Sequence, residues 1–323
     1  MKIARDGVRL DSLCAIHRGL WTGALYVFIV PEDVVSEYDM EKEALRPSLR
    51  GKDIKPFGYR WSGFYVIYAT SEYVPGFETR FPNVMKWLER HRIVLERRSA
   101  VFTWGRKWWE LEDPLDPRIF EQPKILSPLF ARYQSFAVDR MGEYYVLDST
   151  VVIRRWLSEE EQEEYAANWK KINEPELNIE DFIESGKKAW AELGSTTDGL
   201  WYIVALLNSE TLEFFFKQYS PRLIKRGRRP KKGRWFSYAP PHLNIVPIRI
   251  AEKEDRKEVI RLAKRISACM TKYLSLPPDS DEKAPLEGEI GFLVNSLNEV
   301  VFSIYGLSEK EKVIVQSFVY RKR

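Results

Sequence analysis

The alternation of apolar and polar positions divides the chain near Trp156. Before it, apolar residues come in short runs bounded by Gly and Pro. "ALYVFIV" (24–30) and "GFYVIYA" (63–69) are rich in β-branched and aromatic residues and predict strands. Between them, "LRPSLRGKDIKPFGYRW" interleaves basic and aromatic positions and predicts a loop. In "FPNVMKWLERHRIVLERR" (81–98), Pro82 stands near the start, and Val84, Trp87, Leu88, Val94 and Leu95 recur at helical spacing, which predicts one helix. "PKILSPLF", "QSFAVD" and "EYYVLDSTVVI" predict short strands separated by "ARY" and "RMG" turns. This half reads as sheet with an embedded helix.

Beyond Trp156 the period becomes helical. "SEEEQEEYAANWKKI" opens on Ser158 followed by acids, a start that suits the positive end of a helix dipole. "NIEDFIESGKKAWAEL" predicts a second acidic helix, and "LWYIVALLNSETLEFFFKQ" (200–218) a third, apolar on most faces and therefore buried. Pro221, Gly227, Pro230 and Gly233 then forbid a regular helix. "RWFSYAPPHLNIVPIRI" predicts a short strand and turn. A basic amphipathic helix (253–274), a linker "SLPPDSDEKAPLEGE" and two helices divided at Gly306 complete the chain. The expected fold is mixed α/β (α+β), its sheet drawn from residues up to about 153 and again from about 235–250. Residues 1–252 form one expected domain, with an acidic helical insertion at about 157–196 that stands out from it. Residues 253–323 form an expected helical subdomain.

Composition narrows the class. With 323 residues, 44% hydrophobic and 14% aromatic, the chain can bury one large core or two smaller ones. No apolar run approaches the roughly 20 residues of a membrane span, and "MKIARDGVRL" lacks the apolar core of a signal peptide, so the expected location is cytoplasmic, with no membrane partner. Cys14 and Cys269 are too few and too far apart for a disulfide framework or cysteine-based metal site, and His17, His91 and His242 are scattered. No metal site is expected.

The net charge of +4 conceals a strong asymmetry. Lys217 to Arg234 holds nine basic residues and no acid, while Ser158 to Glu192 holds eleven acids against four lysines. Such separation concentrates positive potential on one surface. Known catalytic patterns are missing: no nucleophile-elbow glycines, no phosphate-cradling "GxxxxGK[ST]", no "GxGxxG" after a strand. No catalytic residue is assigned. The basic stretch, with Lys225, Arg226, Arg228, Arg229, Lys231, Lys232 and Arg234 followed by Trp235, instead offers cations for phosphates and glycines for close backbone approach. "LRGKDIKPFGYRW" adds Arg50, Lys52, Lys55 and Arg60 beside Trp61.

Several segments then resemble one family in order. "RPSLRGKDIKPFGYRWSGFYVIYAT", "FPNVMKWLERHRIVLERR" and "WWELEDPLDPRIFEQPKILSPLFARYQSFAVDRMGEYYVLDSTVVI" are similar to the specificity, or target recognition, domain that follows the catalytic domain in TaqI-type adenine DNA methyltransferases and related single-chain type II restriction-modification enzymes. "YIVALLNSETLEFFFKQYS", "RWFSYAPPHLNIVPIRI", "LDSLCAIHRGLWTGALYVFIV" and "LVNSLNEVVFSIYGLSEKEKVIVQSF" resemble later and flanking parts of such enzymes. The resemblance spans roughly residues 9–320, apart from the acidic insertion. It implies sequence-specific recognition of duplex DNA, with contacts from Arg50, Lys52, Lys55, Arg60 and Trp61 in a first loop, and Arg132, Tyr133 and Gln134 in a second. Lys225 to Trp235 form a third contact region, and Arg18 and Thr22 lie in a leading turn.

The family's catalytic half holds S-adenosylmethionine on a Gly-containing loop and the flipped adenine with an Asn/Asp-Pro-Pro-Tyr/Phe motif. "APPH" and "LPPD" do not fit that motif, and no cofactor loop is found. No cofactor is expected in this chain, and S-adenosylmethionine belongs to a catalytic methyltransferase domain or subunit as partner. The chain begins where the family's domain begins, which favours an excised domain over a separate subunit. Two other classes use the same features: a module for RNA or single-stranded nucleic acid, through the same cations and aromatics, and a protein-interaction scaffold, through the acidic helices and helical tail.

Overall fold

The computed structural model describes residues 2–219 and 235–320 of the chain, and its fold is mixed α/β. At its centre is the strand Thr150–Arg155. It pairs antiparallel with Cys14–Arg18 on one side, Val151 opposite Arg18, and with Lys124–Pro128 on the other, Thr150 opposite Pro128. Ala137–Asp139 adds a fourth strand beyond Lys124–Pro128.

Both faces of this sheet are covered. Val151 and Ile153, with Ile125 and Val138, enter one hydrophobic core; Val152, with Leu126 and Ala137, enters a second. A strand buried on two faces carries a continuous apolar run, and "TVVI" is that run. The second core is closed by another sheet, in which Leu45–Leu49 pairs antiparallel with Phe64–Ile67 and parallel with Tyr145–Val146, and Ile29–Pro31 forms the far edge.

The first core is built round the helix Thr196–Leu207, buried at every position from Gly199 to Leu207. The long helix Lys253–Ser275 supplies Val259, Leu262, Ala263 and Ile266 to the same core, and Lys283–Ile304 supplies Leu293, Leu297, Val301 and Phe302. The last helix, Glu309–Tyr320, meets Glu210–Tyr219 through an edge-on contact of Phe318 with Phe214 at 4.9 Å. No helix among the described residues is long and apolar enough to cross a membrane.

The structure departs from the sequence expectations in six places, the first being that Leu45–Leu49, expected to lie in a loop, is a strand held by neighbours on both sides, Phe64–Ile67 and Tyr145–Val146. "ALYVFIV" is strand only at Ile29–Pro31; Leu25–Phe28 make one helical turn, because Gly23 in the left-handed region redirects the chain and the Ala24 carbonyl accepts the Val27 and Phe28 N–H groups. The helix expected over 81–98 is two, Pro82–Arg90 and Arg92–Glu96, parted where His91 leaves helical geometry (φ −107°, ψ 9°). The apolar helix expected over 200–218 is also two, Thr196–Leu207 and Glu210–Tyr219, with Ser209 Oγ accepting the Leu212 N–H across the break. The linker is shorter than expected, since Lys283–Ile304 accommodates Pro285 in its first turn, where no N–H partner is needed. Finally, the second acidic helix, Ile179–Leu193, does not stand out: Ala189, Trp190 and Leu193 join the first core and Trp190 Nε1 donates to the Leu13 carbonyl at 2.7 Å. The first acidic helix, Glu159–Ile172, is capped by Ser158 and packs through Ala166 against Phe182 and Ile183.

That packing requires Gly186, where a Cβ would lie 2.1 Å from the Ser12 carbonyl oxygen. Replacing mid-helix Gly by Ala ordinarily gains about 0.5–1 kcal/mol, but here backbone must move. Gly186→Ala is therefore expected to destabilise by about 1–3 kcal/mol. Gly288→Ala, with nothing within 4 Å of the added carbon, is expected to stabilise by about 0.5–1 kcal/mol. Urea unfolding midpoints shifting in opposite directions would bear this out; a higher midpoint for Gly186→Ala would contradict the close packing of this helix.

Candidate nucleic-acid interface

The antiparallel register gathers three chain segments at one end of the central sheet. Thr150 begins the central strand beside the end of Cys14–Arg18 and the end of Lys124–Pro128. Arg18 consequently reaches the Asp148 carbonyl, from Nε at 3.3 Å and Nη2 at 3.1 Å, and the Asp148 carboxylate at 3.6 Å. Leu129 N–H donates to the Ser149 carbonyl at 2.8 Å. The first loop docks on this junction: the Gly51 α-carbon faces the Ser149 carbonyl and Pro128, which an added Cβ would meet at 3.3 and 3.4 Å.

The first loop is organised by Asp53. Its buried carboxylate accepts the Arg50 backbone N–H at 2.9 Å, Arg50 Nε at 3.1 Å and Ser62 Oγ at 2.7 Å. Burial opposes its ionisation, but the hydrogen bonds from Ser62 and Arg50, with the Arg50 charge, hold it below the usual carboxylate range. The Arg50 guanidinium also lies over the Phe64 ring at 3.9 Å. Past Asp53 the chain makes a hairpin of Ile54–Lys55 and Gly58–Tyr59, pinned by Phe57, which adopts a left-handed conformation (φ 62°) and donates its N–H to the Phe136 carbonyl at 2.8 Å. Trp61 is half-buried, its Nε1 donating to the Phe64 carbonyl at 2.9 Å. Lys52, Lys55 and Arg60 are exposed and, among the described residues, have no carboxylate within salt-bridge distance.

The second loop leaves an edge strand, Phe130–Ala131, that pairs antiparallel with Phe236–Ser237. Beneath it Lys217 is buried, ion-paired with Glu213, with its ammonium 5.5 Å from the Tyr133 ring and 5.2 Å from that of Phe236. Lys217 thus belongs to the floor of the site and leaves the basic surface that its sequence neighbours suggested. Asn208, at the break between the two apolar helices, clamps the loop by accepting the Phe136 N–H at 3.0 Å and donating to its carbonyl at 2.8 Å. Arg132 is exposed, its guanidinium 5.6 Å from the centre of the Trp235 ring.

The residues singled out in the sequence fall into four groups. Arg18, Lys52, Lys55, Arg60, Arg132 and Trp235 lie on segments joined by the contacts above and are exposed; Arg50, Trp61 and Tyr133 are half-buried supports. Thr22 and Gln134 are buried: Thr22 sits under the leading turn with its carbonyl accepting Arg98 Nη1 at 2.9 Å, so neither offers its side chain at the surface. Lys225, Arg226, Arg228, Arg229, Lys231, Lys232 and Arg234 lie outside the described residues. Asp53, Phe64, Asp148 and Asn208, which fix the loops, carry no sequence signal of their own. An aromatic surface stands beside the leading turn without having been expected there: Trp21 and Trp104 meet edge-on at 6.1 Å while both remain exposed. The aromatic density of "TWGRKWW" is its one trace in the sequence. Among the described residues no group of three or more His, Cys, Asp or Glu side chains could hold a metal ion.

No family model matches the chain. A stretch of 117 residues, 36% of the chain, is 30% identical to the type II methyltransferase M.BstVI of Geobacillus stearothermophilus and amounts to 20% of that protein. The type IIL restriction-modification enzyme MmeI, solved in complex with DNA, aligns with 97% of this chain at a TM-score of 0.60 and 12% identity, a likeness of fold. The type IIG restriction endonuclease BpuSI aligns with 93% of the chain at a TM-score of only 0.41 and 10% identity. The chain spans about a third of the length of each of these two enzymes, 36% and 32%. The similarities are thus to proteins of restriction-modification systems.

Asp53→Asn should loosen the first loop. Because the folded carboxyl is held below its unfolded value of about 3.9, its contribution is complete above about pH 4 and disappears as pH falls through the lowered value. The variant is expected to lose about 1–3 kcal/mol at pH 7, with the difference from the parent shrinking below about pH 4. Chemical denaturation at the two acidities measures it; an equal difference at both would contradict the linkage.

Proposed function

We propose that the chain is the duplex-DNA recognition unit of an adenine-N6 DNA methyltransferase or single-chain type II restriction-modification enzyme, of the TaqI-like kind. It would work beside a catalytic methyltransferase domain or subunit that holds S-adenosylmethionine. The observation that carries this reading is the meeting of the leading turn, the first loop, the second loop and Trp235, drawn from four distant parts of the chain, at one end of the central sheet. The resemblance implied contacts from these same segments. The likeness of fold to MmeI, which was solved with DNA, supports it.

In this reading the labour is divided. Chemistry on adenine N6 requires the base to leave the duplex, which costs a few kcal/mol and is assisted by a grip on the flanking DNA. Lys52, Lys55 and Arg18 hold phosphates, the basic stretch from Lys225 to Arg234 extends that hold, and Arg60 and Arg132 address base edges. Thr22 and Gln134, both buried, lie outside this contact set. The recognition unit comprises residues 1–252 and the helical part residues 253–323, which contribute Val259, Leu262 and Leu297 to the same core as the sheet. A cytoplasmic location belongs to the same proposal.

Fluorescence anisotropy with duplex DNA across a salt series tests it. Lys52→Ala with Lys55→Ala is expected to weaken binding to all duplexes and lower the salt slope by roughly 0.9 for each phosphate left without its lysine. Alanine at Lys225, Arg226, Arg228 and Arg229 together is expected to lower it further. Tight, salt-insensitive binding, or preference for single-stranded RNA over duplex DNA in competition, would overturn the reading.

Methyl transfer gives an independent check. The purified chain alone is expected to transfer no labelled methyl group from S-adenosylmethionine to duplex DNA. Incorporation by the chain without a partner would contradict the division of labour.

A further inference from the structure

We infer that Trp235 is a positioning residue for Arg132, and that the two together form a preset guanine-reading element. This inference rests on the duplex-DNA reading above. Phe236 pairs with Ala131 and Ser237 with Phe130, so the same register carried one residue outward sets Trp235 opposite Arg132. Ala131 and Phe236 are buried while Arg132 and Trp235 are exposed, which puts the latter pair at the solvent side of the ladder. There the guanidinium lies 5.6 Å from the centre of the indole.

Three features separate this arginine from an ordinary surface cation. Its guanidinium makes no hydrogen bond or ion pair among the described residues, so its planar fork of donors is open, whereas Arg50 spends its Nε on Asp53 and Arg18 its Nε and Nη2 on the Asp148 carbonyl. Its ladder is anchored from beneath: Phe236 and Tyr133 both lie against the Lys217 ammonium, which is buried and paired with Glu213, and Tyr238 N–H donates to the Leu129 carbonyl at 2.8 Å. Its support is an indole 46% exposed, a large apolar area left facing water at a strand end where a smaller residue would keep the ladder bonds. An indole face attracts a guanidinium and limits its rotamers, so less freedom remains to be lost on binding. A fork held with two parallel donors forward matches guanine O6 and N7 in the major groove.

The test uses the full chain and a pool of duplexes with randomised cores, sequencing the bound fraction. The parent protein is expected to enrich guanine at one or more positions. Arg132→Ala should reduce one such preference at least about tenfold, and Trp235→Ala should reduce the same preference without adding to the loss in the double variant. Trp235→Phe, which retains a ring face, should keep most of it, and Arg132→Lys, which lacks the fork, should not. Lys52→Ala with Lys55→Ala should weaken retention while leaving the preference intact. Thermal midpoints equal to the parent's exclude unfolding as the cause. The inference is overturned if Trp235→Ala keeps the preference that Arg132→Ala removes, or if Arg132→Ala weakens retention of every sequence alike. A parent that binds duplexes but enriches no guanine also overturns it while leaving duplex binding standing; a parent that binds no duplex overturns the underlying reading as well.

Discussion

The strand Thr150–Arg155 organises the molecule by being buried on both faces. Its successive side chains feed opposite cores, Val151 and Ile153 on one side and Val152 on the other. A register slip of one residue would send each of them to the wrong core, so the pairing is specified from both faces at once. The same register fixes the start of the strand beside Arg18 and Pro128, and so brings Asp148, Ser149 and Leu129 together. The candidate interface is thus a consequence of how the cores are divided. Loops need only leave that end of the sheet to become neighbours.

What holds those loops is a set of polar groups buried on one side and satisfied locally. Asp53 gathers Arg50 and Ser62, Asn208 gathers both backbone groups of Phe136, and Arg98 donates to the carbonyls of Thr22, Leu95, Trp108 and Glu110. Each would be costly to break, because the partner would remain buried without a hydrogen bond. This rigid base leaves Lys52, Lys55, Arg60 and Arg132 exposed together without a carboxylate partner among the described residues. A surface with its cations left uncompensated suits a polyanion. The acidic helices lie on a different part of the fold, against Ser12 and Leu13.

Much of this is legible in the sequence, for identifiable reasons. "STVVI", "PKILSPLF" and "GFYVIYA" read as strands because a strand's burial is written in a few adjacent residues. The acidic helix starting at Ser158 is readable from its cap. The helix breaks at His91 and Asn208 are not, since neither residue forbids a helix; at Asn208 the side chain instead holds both backbone groups of Phe136. For the site, residue type locates the basic loops but does not separate Lys52 and Lys55, exposed, from Gln134 and Lys217, buried. The pairing of Arg132 with Trp235 is out of reach for the same reason, since it depends on a ladder between segments about a hundred residues apart.

Hydrogen–deuterium exchange of the chain with and without a saturating duplex asks whether these separate segments act as one surface toward DNA. Slowed exchange is expected together in residues 50–61, 129–135, 147–149 and 235–238, with the helices Glu159–Ile172 and Lys283–Ile304 unchanged. Protection confined to those helices, with the four segments exchanging as in the free chain, would contradict a shared DNA-facing surface.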